Sequence, residues 1–314
     1  MDTATIASIV GAATPLVYAV VGETISEKAG VVNLSLEGSI MLSAMTGFVA
    51  AYYTHSVWVG FLAAIAVGAL MAAIIAFASI ELSLNQIAVG FVLTLLGIKL
   101  SSFLGNSFVG RQGEAVPHMA IPGLERIPFI GPVFFDQNLA VYGSYVVLIL
   151  AYLFMYRTRR GLELQAVGER PEAAYARGIH VNGMRYLYAI VGGGLAGAAG
   201  AAFSLDVILG WREGLTSNFG WIALAIVIFG GWNPLRAAVG AYLFGALRVG
   251  ASQLQPVFPS LSQVLGLFPF VLMILLLVLV YLPKFRTLGD RHGLVRRFLA
   301  GDPPGALGTS FRRE

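Results

Sequence analysis

The sequence predicts an all-α, polytopic transmembrane helical bundle of about nine spans, with the N-terminus outside and the C-terminus inside (N-out/C-in). Three observations carry this. Of 314 residues, 57% are hydrophobic and only 11% charged, against roughly 25% charged in a soluble domain. Apolar runs of the ~20 residues that a ~30 Å hydrocarbon core requires recur along the chain. The basic residues are also partitioned. Under an N-out/C-in arrangement the inside holds fifteen (Lys28, six arginines between 157 and 186, Arg236 and seven from Lys284 to Arg313), and the outside holds Arg111, Arg126 and Arg212. Cytoplasmic loops are enriched in Lys and Arg, so the net charge of +4 is a topology signature and not a nucleic-acid footprint. The absence of cysteine removes disulfides, thiol chemistry and zinc–thiolate sites.

In chain order, the first span is expected over 4–22. No basic stretch precedes it and no cleavage site follows, so it reads as a retained span and not a signal peptide. The second, 30–53, starts on Gly30-Val-Val-Asn33-Leu-Ser35-Leu-Glu37-Gly38, which puts an amide, a hydroxyl and a carboxylate where a span is normally apolar. Polar groups at membrane depth are costly and tend to face a cavity or the bundle interior, and broken helices of this kind line transporter sites. A solvated Glu37 at the interface is the competing reading. The third span is 57–80. The fourth, 86–104, starts on Ser83-Leu84-Asn85-Gln86 with the same polar character. The loop 105–138, with four prolines, is expected to be ordered irregular structure with short interfacial turns.

The fifth span, 139–157, leads into 157–186, a long charged segment between spans. Pro171 suits the first position of a short helix, Glu172 the first turn beside the positive helix end, and Gly178 the stop. The sixth span, 186–210, contains Gly192-Gly193-Gly194, Gly197 and Gly200. Its Gly193/Gly197 pair marks close helix contact without naming the partner. The seventh, 217–232, ends on Gly230-Gly231-Trp232-Asn233-Pro234, and 235–254 and 264–283 follow. Residues 1–285 thus form one membrane domain, and 286–314 a basic inner tail expected to fray.

Several chemistries are missing. No G-x-x-x-x-G-K-[ST] run supplies a nucleotide-binding loop, and no G-x-S-x-G run supplies a nucleophile elbow. The four histidines are scattered without ligand spacing, so no metal site is expected. Within the spans, apart from Glu37, Arg157 and Arg236 toward their inner ends, the charged residues are Lys99, Asp206 and Arg248. The chain is not expected to be an enzyme.

Glu172-Ala173-Ala174 followed by Gly178 resembles the EAA-x-x-x-G coupling loop of ATP-binding-cassette (ABC) importer permeases. Thr14-Pro15, Gly22-Glu23, Glu27 through Leu34, Leu36-Glu37-Gly38, Asn85-Gln86, Gly220 through Ala225, Phe229-Gly230 and Trp232-Asn233-Pro234 resemble the permease family of ribose, branched-chain amino acid and nucleoside importers. The similarity covers about 10–285 and is nearest to the nucleoside (simple-sugar-type) permeases. The resemblance implies half of a translocation pathway in a bacterial inner membrane. It also implies a second, usually different permease subunit, a separate ABC ATPase that holds the ATP and magnesium, and an extracytoplasmic substrate-binding protein. No cofactor is expected in this chain and no nucleic-acid partner. Coupling to the ATPase is expected from Glu169, Pro171, Glu172, Ala173, Ala174 and Gly178. The pathway is expected from Asn33, Glu37, Asn85, Gln86, Asn218 and Trp221, whose amides and carboxylate could bond sugar hydroxyls and whose indole could stack on a base. The alternatives are a permease for ribose-like sugars or branched-chain amino acids, and, from different classes, an ion-driven secondary transporter or a scaffold protein.

Overall fold

The computed structural model describes residues 2–281 and 301–311, and is almost wholly helical. Helix α1 (Thr3–Lys28) is capped by Asp2, whose carboxylate accepts the Thr5 amide. It is followed by α2 (Leu36–Thr54), α3 (Val57–Ile80), α4 (Gln86–Gly105) and α5 (Leu139–Arg157). Two short helices, α6 (Arg159–Glu169) and α7 (Pro171–Ala176), precede α8 (Val181–Ala202), which continues into a π-helical turn at Phe203–Val207. Helices α9 (Phe219–Phe229), α10 (Pro234–Leu254) and α11 (Ser262–Tyr281) close the series. Among the described residues, five helices are long and apolar enough to cross a membrane: Thr3–Lys28, Val57–Ile80, Gln86–Phe108, Leu139–Arg157 and Val181–Val207. Helices α2 and α10 match them in length but carry Glu37 or arginines, and α9 is shorter.

Helix α8 is the axis, packing on α1, α2 and α3 through its glycines. A Cβ on Gly192 would stand 2.5 Å from the Gly22 carbonyl of α1, and one on Gly200 2.6 Å from the Ile40 carbonyl of α2. The Gly193/Gly197 pair meets Gly68 and Ala64 of α3, which supplies the partner that the spacing left open. Small residues allow this approach where lipid gives no hydrophobic drive between helices.

Several boundaries differ from the sequence expectation. The second helix starts at Leu36 and not at 30, because Gly30 takes φ +91° and Asn33 folds its side chain onto the Ser35 amide, a local turn that competes with helix. The seventh is only the 11 residues Phe219–Phe229, about 16 Å long at 1.5 Å per residue. The segment 208–218 before it is not helical. Helix α6 is an extra amphipathic helix inside 157–186. The loop 105–138 contains an antiparallel pair, β1 (His118–Ala120) with β2 (Asp136–Asn138), in the register His118↔Asn138. Of the tail 286–314, residues 301–311 are docked against the end of the bundle that carries α6 and α7 (the arginine-rich end), and do not fray. Backbone hydrogen bonds to Gly168 and Gly30 hold them. The rest of that tail, and residues 282–283 of the ninth predicted span, lie outside the described residues.

Candidate functional site

The first region lies where α2, α4 and α9 meet. Gly38, in the first turn of α2, presses on Thr94: a Cβ there would be 2.5 Å from the Thr94 carbonyl. Gly97 presses on Gly38 in turn. Thr94 and Gly97 are halfway along α4, so the start of α2 is at mid-depth. There Glu37, 4% exposed, accepts the backbone amides of Asn218 at 2.6 Å and Gly220 at 2.7 Å. The start of a helix leaves its first amides without internal partners, and its dipole favours a negative charge. Asn218 takes φ +71° and offers no side-chain cap, so a carboxylate from 181 residues earlier caps α9 instead. Irregular backbone at membrane depth is tolerated where it is buried in protein or lines a cavity, and 208–218 feeds α9 in this way. Trp221 follows in the first turn of α9, half-buried, its ring 5.5 Å from the exposed Phe91 of α4.

Toward the arginine-rich end, Gln86 joins two turns. Its Oε1 accepts the Val32 amide at 3.0 Å and its Nε2 donates to Ser79 Oγ at 3.0 Å. Asn85 caps α4 by accepting the amides of Ile87 and Ala88. Both line a cavity of about 490 Å³ together with Val32, Leu34, Ser79 and Ser83. Asn33 does not reach it. It is buried, its Oδ1 accepts from Ser35, and its backbone amide donates to Glu23 Oε1 at 2.9 Å. The predicted pathway residues therefore form two groups, Glu37–Asn218–Trp221 at mid-depth and Asn85–Gln86 at the cavity, with Asn33 turned inward.

The sequence reading gave no role to Glu23 and Glu27, which are one turn apart and buried on α1. Glu27 accepts the Trp232 indole N–H, joining α1 to the α9–α10 turn. Two carboxylates four residues apart in an apolar helix were the available signal. Asp206, in the π-helical turn, accepts from Asn138 at 2.5 Å, and the Arg248 guanidinium lies 4.7 Å from the Phe219 ring centre.

The second region is the surface of α6 and α7. Pro171 opens α7, and the Gly178 amide donates to the Tyr175 carbonyl (2.8 Å) while that of Ile179 donates to Ala174 (3.1 Å). With Gly178 at φ +81° this is a Schellman stop, in which glycine adopts the left-handed conformation without a Cβ clash. Pro171 and Ala174 face inward, and Glu172, Ala173, Tyr175 and Ala176 face outward. Glu169 lies 3.8 Å from Lys28 and accepts the Gly305 amide at 3.1 Å. A groove of about 480 Å³ runs between the two helices, apolar along Leu162, Ala166 and Ala173 and rimmed by Arg159, Arg170 and Arg177. Glu163 bridges Arg159 and Arg160 within α6.

A glycine-packed membrane bundle with a half-length helix inside it and a short, outward-facing helix pair at one end fits a transporter permease. The chain belongs to the family described as "Branched-chain amino acid transport system / permease component", which matches residues 5–277, and is an ABC transporter permease subunit. It is 44% identical over 242 residues to the "Putative glucose ABC transporter permease protein TsgC13" of Haloferax volcanii, covering 76% of this chain and 74% of that one. It is 34% identical to the nucleoside ABC transporter permease protein NupC of Lactococcus lactis over 281 residues (85% and 88%). With the guanosine ABC transporter permease protein NupQ of Bacillus subtilis it shares 33% over 300 residues (88% and 93%). More distant relatives, NupB and NupP, occur in the same two organisms. A solved structure described as "an inward-facing conformation of a putative metal-chelate type ABC transporter" matches with a TM-score of 0.50 at 18% identity, covering 87% of this chain and 84% of that one. This shows the shared fold.

Proposed function

We propose that this chain is one permease subunit of a bacterial inner-membrane importer for nucleosides. It crosses the membrane nine times with the N-terminus out, the arginine-rich end facing the cytoplasm. The partition of fifteen inner against three outer basic residues supports that orientation. It pairs with a second, different permease, as the NupB/NupC and NupP/NupQ names suggest for those relatives. An extracytoplasmic binding protein delivers the solute. ATP and magnesium are held by a separate ATPase, so this chain is not itself an enzyme.

The observation that carries the substrate class is the aromatic pair Phe91 and Trp221 beside the broken start of α9. Stacking on aromatic rings recognises bases through their π-faces, and Asn85 supplies an amide for ribose hydroxyls further along the path, where Gln86, engaged by Val32 and Ser79, holds the cavity wall in shape. Glu37, with both oxygens on backbone amides, serves the pathway by holding α9 in place and not by touching solute. A sugar is the second reading, favoured by the glucose permease name of the 44% identical relative.

Coupling is assigned to Glu169, Pro171, Glu172, Ala173, Ala174 and Gly178, with α7 as the lever and the α6–α7 groove as the contact for the ATPase. Rigid-body rocking of glycine-packed helices between discrete arrangements then alternates access. The test is uptake of radiolabelled guanosine by proteoliposomes holding this chain and its copurifying partners, with and without ATP. ATP-dependent uptake blocked by unlabelled nucleoside supports the proposal. Block by glucose alone moves the substrate to sugars, and ATP-independent uptake by this chain alone, abolished by an uncoupler, removes the coupling assignment.

A further inference from the structure

Residues 301–311 touch α6, α7, α8, the α1–α2 turn and the α9–α10 turn at the arginine-rich end. The Ala306 amide donates to the Gly168 carbonyl at the end of α6 (2.8 Å), and the Gly308 amide to the Gly30 carbonyl between α1 and α2 (3.0 Å). The Gly305 amide donates to Glu169 Oε2 at 3.1 Å. Arg185, in the second turn of α8 and 1% exposed, donates through Nη1 to the Thr309 carbonyl at 2.7 Å. Phe311, buried, packs with its ring centre 5.7 Å from that of Tyr175 on α7, the two planes tilted by 54°. Gly301 lies against Gly231 in the α9–α10 turn. The same strap walls the 490 Å³ cavity with Leu307, Gly308 and Ser310, opposite Asn85 and Gln86.

A segment bonded to the last turn of α6, packed by Phe311 on α7, and walling the cavity with Leu307, Gly308 and Ser310 links displacement of the α6–α7 pair to the cavity wall. We infer that 301–311 is a positioning strap that carries the displacement of α6–α7 to the cavity wall. It would keep Asn85 and Gln86 in step with ATP hydrolysis. The inference rests on the coupling assignment above. It takes a tether within the chain, not a new ligand, as the link between lever and release.

The experiment compares the intact importer with a chain stopped in place of Gly301, and with Phe311→Ala and Arg185→Gln in the full chain. Solute uptake and ATP hydrolysis are measured at matched membrane levels. Coupling free energies between sites of 1–3 kcal/mol correspond to changes of about 5- to 150-fold, so the stopped chain should hydrolyse ATP while moving at least about fivefold less solute per ATP. Phe311→Ala and Arg185→Gln should fall between, which keeps the test open if the shortened chain does not insert. Because the chain has no cysteine, the pair Tyr175→Cys/Phe311→Cys can be joined by a short bis-maleimide. The unlinked pair should be uncoupled, and linking should restore solute moved per ATP. Unchanged solute per ATP in all the strap variants, or a linked pair that stays uncoupled, overturns the strap. Gly178→Pro in the same preparations separates the two ideas: if it leaves both uptake and hydrolysis unchanged, the lever assignment fails and not the strap alone.

Discussion

Replacing Glu37 tests whether a single carboxylate holds the half-length helix inside the bundle. Its two oxygens receive the amides of Asn218 and Gly220, and Glu37 is 4% exposed, so water cannot take its place without a local opening. Glu37→Ala leaves the buried Gly220 amide and the part-buried Asn218 amide unpaired. The buried one costs about 1–3 kcal/mol, the other less because it is only partly buried, and the lost charge at the helix start adds up to about 2 kcal/mol. Glu37→Gln keeps one accepting oxygen and presents an N–H₂ group to the other amide, so about half of the hydrogen-bond loss is expected. Backbone hydrogen exchange of detergent-solubilised protein reads the effect directly. Protection at Asn218 and Gly220 should fall in the order wild type, Gln, Ala, with thermal stability following the same order. Unchanged protection at both amides in Glu37→Ala would refute the reasoning, because it would mean that α9 is held by its packing on α1, α2, α10 and α11 alone.

Other expectations follow from the same geometry. Gly178→Pro and Glu172→Arg should abolish ATP-driven uptake while leaving the chain in the membrane at normal levels, as immunoblots and uptake assays would show. A proline cannot adopt φ +81°, and the arginine places a positive charge in the first turn of α7, where the dipole opposes it. Gly38→Val forces side-chain atoms against the Thr94 carbonyl, which a Cβ alone would meet at 2.5 Å. Overpacking of this kind costs about 1–3 kcal/mol and should lower the melting temperature in detergent. Trp221→Ala should weaken uptake of guanosine by the equivalent of about 1–3 kcal/mol of stacking, with Trp221→Phe retaining most of it. Equal loss of glucose competition would indicate that Trp221 packs and does not stack.

Much of the architecture could be read from local signals. The apolar runs at 57–80 and 139–157 became α3 and α5 at those bounds, because a span's length and hydropathy are set within one stretch of chain. Pro171 and Gly178 likewise set the limits of α7, since a missing amide proton and a left-handed φ are properties of single residues. Asn33 signalled a polar site by its type but went to a local turn, because an amide two residues from a free N–H finds that partner before any distant one.

What composition and local pattern determined was the class: a many-span membrane bundle, its basic end, its glycine-packed helices and its short surface helix. What only the tertiary structure decided was pairing over long separations. Glu37 on the amides of Asn218 and Gly220, Glu27 on Trp232, Gly193 on Gly68 and the strap on Gly30 and Gly168 each join residues more than a hundred apart. The physical reason is that a buried carboxylate or carbonyl has many chemically equivalent partners in the sequence. Only the packing of whole helices, which no local stretch encodes, brings one of them within 3 Å.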